Sequence, residues 1–293
     1  MGKIAFLGTG NMGGPMALNL IKANHEVCAF DIVPGHLRDI SGAGGEIANS
    51  ATEAVQGATT VITMLPAGEH VDIVYHNDIL PHVPPGTVLI DCSTIDIATS
   101  KAVHASAVQQ GCEMVDAPVS GGVKKAIDGT LTFMVGGSDT AFKMAEPYLS
   151  TMGANIFNCG DGGTGQAAKI CNNMMLGIQM ASVAEAFSLA ENLGLDAGKL
   201  FNVVNVSSGQ CWSVTNYCPV PGLVPAAPSN NDFEGGFAAN LMLKDMNLAL
   251  AAAAQTGSDV SVAEKATTLY QEFKDAGSGG KDFSGIIELV GKR

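Results

Sequence analysis

The chain is short of positive charge. Its 293 residues hold 15 lysines and arginines against 28 aspartates and glutamates, a formal net charge of −13. A surface of that sign repels phosphate backbones and anionic lipid, so neither nucleic acid nor a membrane is expected as a partner. An anionic ligand must be captured by a local site instead. There is no H-E-x-x-H and no C-x-x-C. The six histidines are isolated, and the seven cysteines (28, 92, 112, 159, 171, 211 and 218) are odd in number and scattered. That pattern offers no zinc spacing and no disulfide framework, so no metal is expected and the thiols suit a reducing compartment. No apolar run reads as a bilayer span, and no signal or transit peptide precedes the first strand. A cytoplasmic protein is expected, or one of the mitochondrial matrix if a presequence has been removed. What the chain has in plenty is glycine, 36 residues, which points to many tight turns.

Three of those glycines organise the N-terminal part. Ile4-Ala5-Phe6-Leu7 reads as an apolar strand, Gly8-Thr9-Gly10-Asn11-Met12-Gly13 as a turn, and Gly14-Pro15-Met16-Ala17-Leu18 as the start of a helix. The spacing is G-x-G-x-x-G. In a dinucleotide site the first glycine makes the tight turn, the second lets the backbone approach a pyrophosphate, and the third lets helix and strand pack closely. The first helical N–H groups then face the pyrophosphate. Pro15 suits a first turn, where its missing N–H costs nothing. A second strand, Glu26 to Phe30, ends at Asp31, about twenty residues on, where a ribose hydroxyl partner is expected. A carboxylate there repels a 2′-phosphate, so NAD is favoured over NADP; Arg38 is the nearby residue that could serve a phosphate.

Strand and helix alternate to about residue 90. Ser50-Ala51-Thr52-Glu53 has the form of a capping box, which starts a helix. Thr60–Leu65 and Val88–Cys92 read as buried strands. The fold class expected is α/β: a doubly wound parallel Rossmann sheet over residues 1–163, then an all-α domain built on a long helix over 164–293. Ligands of such sheets lie beyond the carboxyl ends of the strands, which places Leu65, Pro66, Ser93 and Thr94 beside the cofactor. Two β-rich runs between 113 and 137 flank a small polar loop, Ser120-Gly121-Gly122. Its bare N–H groups and its hydroxyl suit a carboxylate. A glycine-rich hinge, 160–165, precedes a helix of roughly 28 residues ending near Leu193, with Gly194 as its stop. That helix is apolar on most sides, so burial against several neighbours and a subunit interface are expected. Lys169 and Asn173, four apart, share one of its faces. Near a helix N-terminus the dipole disfavours a lysine's charge and lowers its pKa, which suits acid–base work. The segment 209–236 is a long loop with the single tryptophan, Trp212, and a later helix carries Lys244.

Taken together these motifs resemble the β-hydroxyacid dehydrogenase family. The likeness rests on Leu7-Gly8-x-Gly10-x-Met12-Gly13, with Phe6 and Thr9 as mild departures, on Asp116-Ala117-Pro118-Val119-Ser120-Gly121-Gly122, on Gly163-x-Gly165-x-x-x-Lys169-x-x-Asn172-Asn173, and on Lys244-Asp245-x-x-Leu248-Ala249. All four stand in the family's order across essentially the whole chain. Cys211-Trp212-Ser213, Pro219-Val220-Pro221-Gly222 and Gly235-Gly236-Phe237 resemble the branch that acts on 3-hydroxyisobutyrate in valine catabolism. The resemblance implies reversible NAD-linked oxidation of the alcohol of a small 3-hydroxy acid, here to methylmalonate semialdehyde; the apolar long helix makes a homodimer or homotetramer the expected state. It further implies that Gly8, Gly10, Asn11, Met12, Gly13, Asp31, Leu65, Pro66, His70, Thr94 and Lys244 bind cofactor. Ser120, Gly121, Gly122 and Trp212 would bind substrate. Lys169 would be the general base and Asn173 would orient the hydroxyl. A tartronate or succinic semialdehyde reductase of the same family is the alternative within enzymes; the 6-phosphogluconate branch needs a longer C-terminal domain and more cations. A non-catalytic dinucleotide-binding module is the alternative of another class, against which stand both Lys169 and Asn173.

Overall fold

A computed structural model describes residues 2–291, and the chain divides into two compact units, Met1–Lys169 and Ile170–Arg293. The first is an α/β unit on one sheet. Its strands, among the described residues, are β1 (Lys3–Leu7), β2 (Val27–Phe30), β3 (Glu46–Ile47), β4 (Ala58–Thr63), β5 (Val88–Asp91), β6 (Glu113–Asp116), β7 (Val119–Ser120), β8 (Leu131–Gly137) and β9 (Gly153–Gly160). They run β3-β2-β1-β4-β5-β6-β8-β7, with β9 also on β8. From β3 to β6 every pairing is parallel. The chain order reverses at β1, between β2 and β4, which is the doubly wound arrangement and puts the crevice at the carboxyl end of β1. Helices cover both faces, so the central strands are apolar on both. Ile4, Phe6, Ile62 and Ile90 pack with Met16 and Leu20 on one side, while Ala5, Leu7, Val61 and Leu89 pack with Val71, Tyr75 and Val103 on the other.

Local signals act as written in the sequence, with small shifts of boundary. The first helix is Gly13–Lys22, with Pro15 in its first turn. Ser50 accepts from the Glu53 N–H at 3.0 Å, but the Glu53 carboxylate returns to the N–H of Asn49, one residue before the cap. The loop at Ser120 is tighter than a turn between two strands. Ser120 ends the two-residue strand β7, and a six-residue helix, Gly122–Ile127, starts at once.

The second unit is helical. The long helix spans Thr164–Asn192, its residues through Lys169 falling in the first unit, and Gly194 ends it at φ 75°. Met180, Ala184, Met242, Leu243, Met246, Leu269, Tyr270 and Phe283 form its main core. Single-chain burial of the long helix is one-sided, since Met175 and Leu189 stay 55% and 59% exposed. Asp196 caps Ala197–Val204 through the Lys199 N–H at 3.0 Å. The proline-rich loop includes a short helix, Trp212–Thr215. All seven cysteines are unpaired, and no helix of the described residues is long and apolar enough to cross a membrane.

Candidate active site

The three loop glycines differ in what surrounds them. Gly8 sits at φ 89°, and a Cβ there would run into the carbonyl of Met64. At Gly13 a Cβ would run into the carbonyl of Gly8. Both are demands of the protein's own packing. Gly10 is different: its backbone lies outside the left-handed region, and the nearest atom to a Cβ is His36 Cε1 at 3.9 Å. Nothing in the chain crowds it. The missing side chain leaves open space where a pyrophosphate would approach the helix N-terminus, and this is the observation that fits NAD to the loop. A cleft of about 470 Å³ opens beside it, lined by Thr9, Gly10, Asn11, Gly14, His36 and Asp39 among others.

Asp31, past the end of β2, accepts from the N–H of Thr9 at 2.7 Å and of Val33 at 2.8 Å, and His36 Nδ1 lies 3.3 Å away. Burial alone would raise its carboxyl pKa. The two backbone bonds and His36 outweigh that and hold it below the ordinary carboxylate value. The anion therefore steadies the glycine loop, and each oxygen keeps lone-pair capacity for a ribose hydroxyl.

Leu65 and Thr94 lie near the carboxyl ends of β4 and β5, and the chain ties those two ends together. The Leu65 N–H donates to Ser93 Oγ at 2.8 Å. Gln166, on the first turn of the long helix, donates to the Ser93 carbonyl at 2.8 Å and accepts from the Ile95 N–H at 3.1 Å. Thr94 is thus bracketed by the helix that carries Lys169. Pro66 is exposed, and His70 is largely so on the first turn of Gly68–Val74. Lys169 is buried, at 7% exposure. Ser120 is half-buried, and Gly121 and Gly122 follow it at φ 139° and 68°. A Cβ on Gly121 would strike Lys125, whereas Gly122 has nothing within 4 Å.

In the second unit Asn173 is 2% exposed. It donates to Asp245 Oδ2 at 2.5 Å and accepts from the Asn172 amide at 3.0 Å. Lys244 Nζ stands 3.5 Å from the other Asp245 oxygen. Trp212, 46% exposed, stacks on Tyr217 at 4.7 Å between centroids, and Tyr217 stacks on Phe283. The Tyr217 hydroxyl donates to buried Asp282, which also accepts from Phe237 and Ser284. Burial pushes the pKa of both Tyr217 and Asp282 up.

Three residues here had no role assigned from the sequence: Asp245, which holds Asn173; Gln166, which docks on the loop of Thr94; and Asp116. Asp116 ends β6 in full burial and accepts from three donors. A signal was present. Leu-Ile-Asp91 and Met-Val-Asp116 both end an apolar strand in a carboxylate, and an acid so placed must find donors.

Known proteins resemble the chain over essentially its whole length. Residues 3–160 match the model of the NAD binding domain of 6-phosphogluconate dehydrogenase, and 163–290 that of the NAD-binding region of NADP-dependent 3-hydroxyisobutyrate dehydrogenase. The 3-hydroxyisobutyrate dehydrogenase of Pseudomonas aeruginosa is 47% identical over 99% of this chain and 98% of its own. The NAD-dependent L-serine dehydrogenase of the same organism is 44% identical over 99% and 98%. The solved structure of the Mycobacterium tuberculosis 3-hydroxyisobutyrate dehydrogenase with L-serine superposes with a TM-score of 0.95, at 47% identity and 99% coverage of both chains. The chain belongs to the 3-hydroxyisobutyrate dehydrogenase family and is an NAD-dependent hydroxyacid dehydrogenase.

Proposed function

We propose that the substrate is 3-hydroxyisobutyrate, oxidised at its terminal alcohol to methylmalonate semialdehyde in valine breakdown, with Lys169 as the general base. The observation that carries the reading is Lys169 itself. It is a buried lysine on the first turns of a long helix, one turn before Asn173 and three residues after the Gln166 that docks on the loop of Thr94. NAD, when bound, accepts the hydride from C3. The chain's residues do the rest. Neutral Lys169 Nζ takes the hydroxyl proton as the C–H bond breaks, and returns it in the reverse direction. Asn173, its amide turned by Asp245 and Asn172, donates its second N–H to the substrate oxygen. Ser120 and the N–H groups of Gly121 and Gly122 hold the carboxylate, Trp212 receives the α-substituent, and Lys244 holds cofactor. Gly8, Gly10, Asn11, Met12, Gly13, Asp31, Leu65, Pro66, His70 and Thr94 are the remaining cofactor contacts, Asp31 setting the preference for NAD over NADP.

The similarity to an L-serine dehydrogenase favours a second reading. Serine has the same HO–CH₂–CH–COO⁻ frame with an ammonium where 3-hydroxyisobutyrate has a methyl. An apolar indole at that substituent favours the methyl, although its face also attracts a cation. Initial rates of NADH formation with 3-hydroxyisobutyrate, L-serine, glycerate and 4-hydroxybutyrate decide between them. A higher kcat/KM for serine overturns the first reading. Lys169→Ala should cost about 10²–10⁴ in kcat with NAD affinity intact, and wild-type kcat would remove Lys169 as the base. We further infer a homodimer or homotetramer in the cytoplasm, or in a mitochondrial matrix. The exposed Met175 and Leu189 on the long helix support association, and light scattering of the purified chain tests it.

A further inference from the structure

We propose that Asp116 is a positioning residue for Lys169: a long-range cap that fixes the start, and hence the register, of the helix on which the lysine stands. A helix N-terminus leaves its first N–H groups without partners, and a capping box normally satisfies two of them with side chains three residues apart. The long helix starts at Thr164, so Gly163 takes the cap position and Gln166 the third helical one. Neither is served by a neighbour in sequence. The Gly163 N–H donates to Asp116 Oδ1 at 2.7 Å, and the Gln166 N–H donates to Asp116 Oδ2 at 2.8 Å. One carboxylate, 47 and 50 residues away, fills both halves of the box. Its charge also lies where the helix dipole favours an anion.

Asp116 cannot move to meet the helix elsewhere. It is the last residue of β6, and Ser120 follows four positions on, so the cap and the proposed carboxylate loop are parts of one segment. His104, on the helix Ile97–Gln109, donates Nε2–H to Oδ1 at 3.0 Å and fixes the carboxylate from the side. The backbone around it is interlocked. A Cβ on Gly136 would lie 2.6 Å from Asp116 Oδ1, and one on Gly165 would lie 2.6 Å from the Asp116 carbonyl and run into that of Met134. Gln166 adds the ties to Ser93 and Ile95 already described. Lys169 stands three residues after Gln166, less than one turn, so a slip of the helix start is passed to its Nζ with little attenuation. A base must be held to within a fraction of an ångström of the proton it takes, and misplacement by about 1 Å costs as much as 10²-fold.

This inference rests on Lys169 being the base. Its test is a double-mutant cycle of Asp116→Asn with Lys169→Ala in the full-length enzyme. Asn keeps the shape but can offer only one oxygen to the three donors. Asp116→Asn should lower kcat about 10–100-fold, with KM for NAD changed less than about threefold. In the Lys169→Ala background it should cost less than about threefold more. Amide exchange of the peptide 162–168 should quicken in Asp116→Asn while that of β1 and β4 stays as in wild type. Equal fold-losses in both backgrounds, or unchanged exchange at 162–168, overturn the proposal. If Lys169→Ala keeps wild-type kcat, it is the base assignment that fails, and the cap is then judged by the exchange alone. Should Asp116→Asn not fold, His104→Ala takes its place. It leaves the two backbone bonds in position and should cost about 3–10-fold in kcat, again only where Lys169 is present; an equal loss in both backgrounds overturns the proposal as before.

Discussion

Replacing Gly8 and Gly10 separately by alanine should damage the protein in opposite ways. At Gly8, the alanine must adopt φ 89°, at about 1–2 kcal/mol. Its methyl also meets the Met64 carbonyl, backbone that cannot rotate away, at a cost of another 1–3 kcal/mol or so. A loss near 3 kcal/mol lowers the melting temperature of a unit of this size by about 6–12 °C. At Gly10, the methyl has only His36 at 3.9 Å, and the backbone is one that alanine adopts freely, so apo stability should hold within about 1 °C. The cost appears on adding NAD. At 100 times its Kd a ligand stabilises by about 2.7 kcal/mol, a rise of roughly 5–10 °C. If the methyl weakens binding about 100-fold, the same NAD concentration contributes about 0.4 kcal/mol and the rise shrinks to around 1 °C. Thermal unfolding with and without NAD, following the transition that responds to cofactor, measures all four values. An early melt of Gly10→Ala without NAD, or a full NAD-dependent rise in that variant, refutes a pyrophosphate approach at Gly10.

Asp31→Asn should lose stability relative to wild type at neutral pH. The native carboxyl pKa is lowered, so its contribution is present above the unfolded value of about 3.9 and lost as pH falls through the native one; denaturant titrations should therefore converge only below about pH 4. Asn173→Asp replaces the amide donor to Asp245 Oδ2 by an acceptor at 2.5 Å, and should cost about 1–3 kcal/mol in urea unfolding at neutral pH; wild-type stability would refute the part played by that bond. Tyr217→Phe keeps the ring stack and removes a donor to buried Asp282, costing about 1–3 kcal/mol in urea unfolding. The emission of Trp212, the only tryptophan, should stay put in Tyr217→Phe and shift in Tyr217→Ala.

What could be read from the sequence was whatever depends on neighbours in the chain. Periodicity gave the strands of the doubly wound sheet because parallel strands bury both faces, as Ile4 and Phe6 on one side and Ala5 and Leu7 on the other do here. The G-x-G-x-x-G spacing and the acid at 31 belong to one βαβ stretch, and the glycine at 194 ends its helix by its own φ. Ser50 caps through a residue three positions on. The motif at 116–122 was visible too, but its first residue was seen only as part of a pattern. The reason is physical. The donors of Asp116 lie 12, 47 and 50 positions away, brought to it by a helix, a strand pair and a glycine turn whose packing no local rule contains. Asp245, holding Asn173 across 72 positions, is the same case. Motifs mark the groups that meet substrate and cofactor, since those must have a fixed chemical type at a fixed spacing. The groups that hold them are chosen by tertiary position, so a carboxylate buried at a strand end is where to look for them.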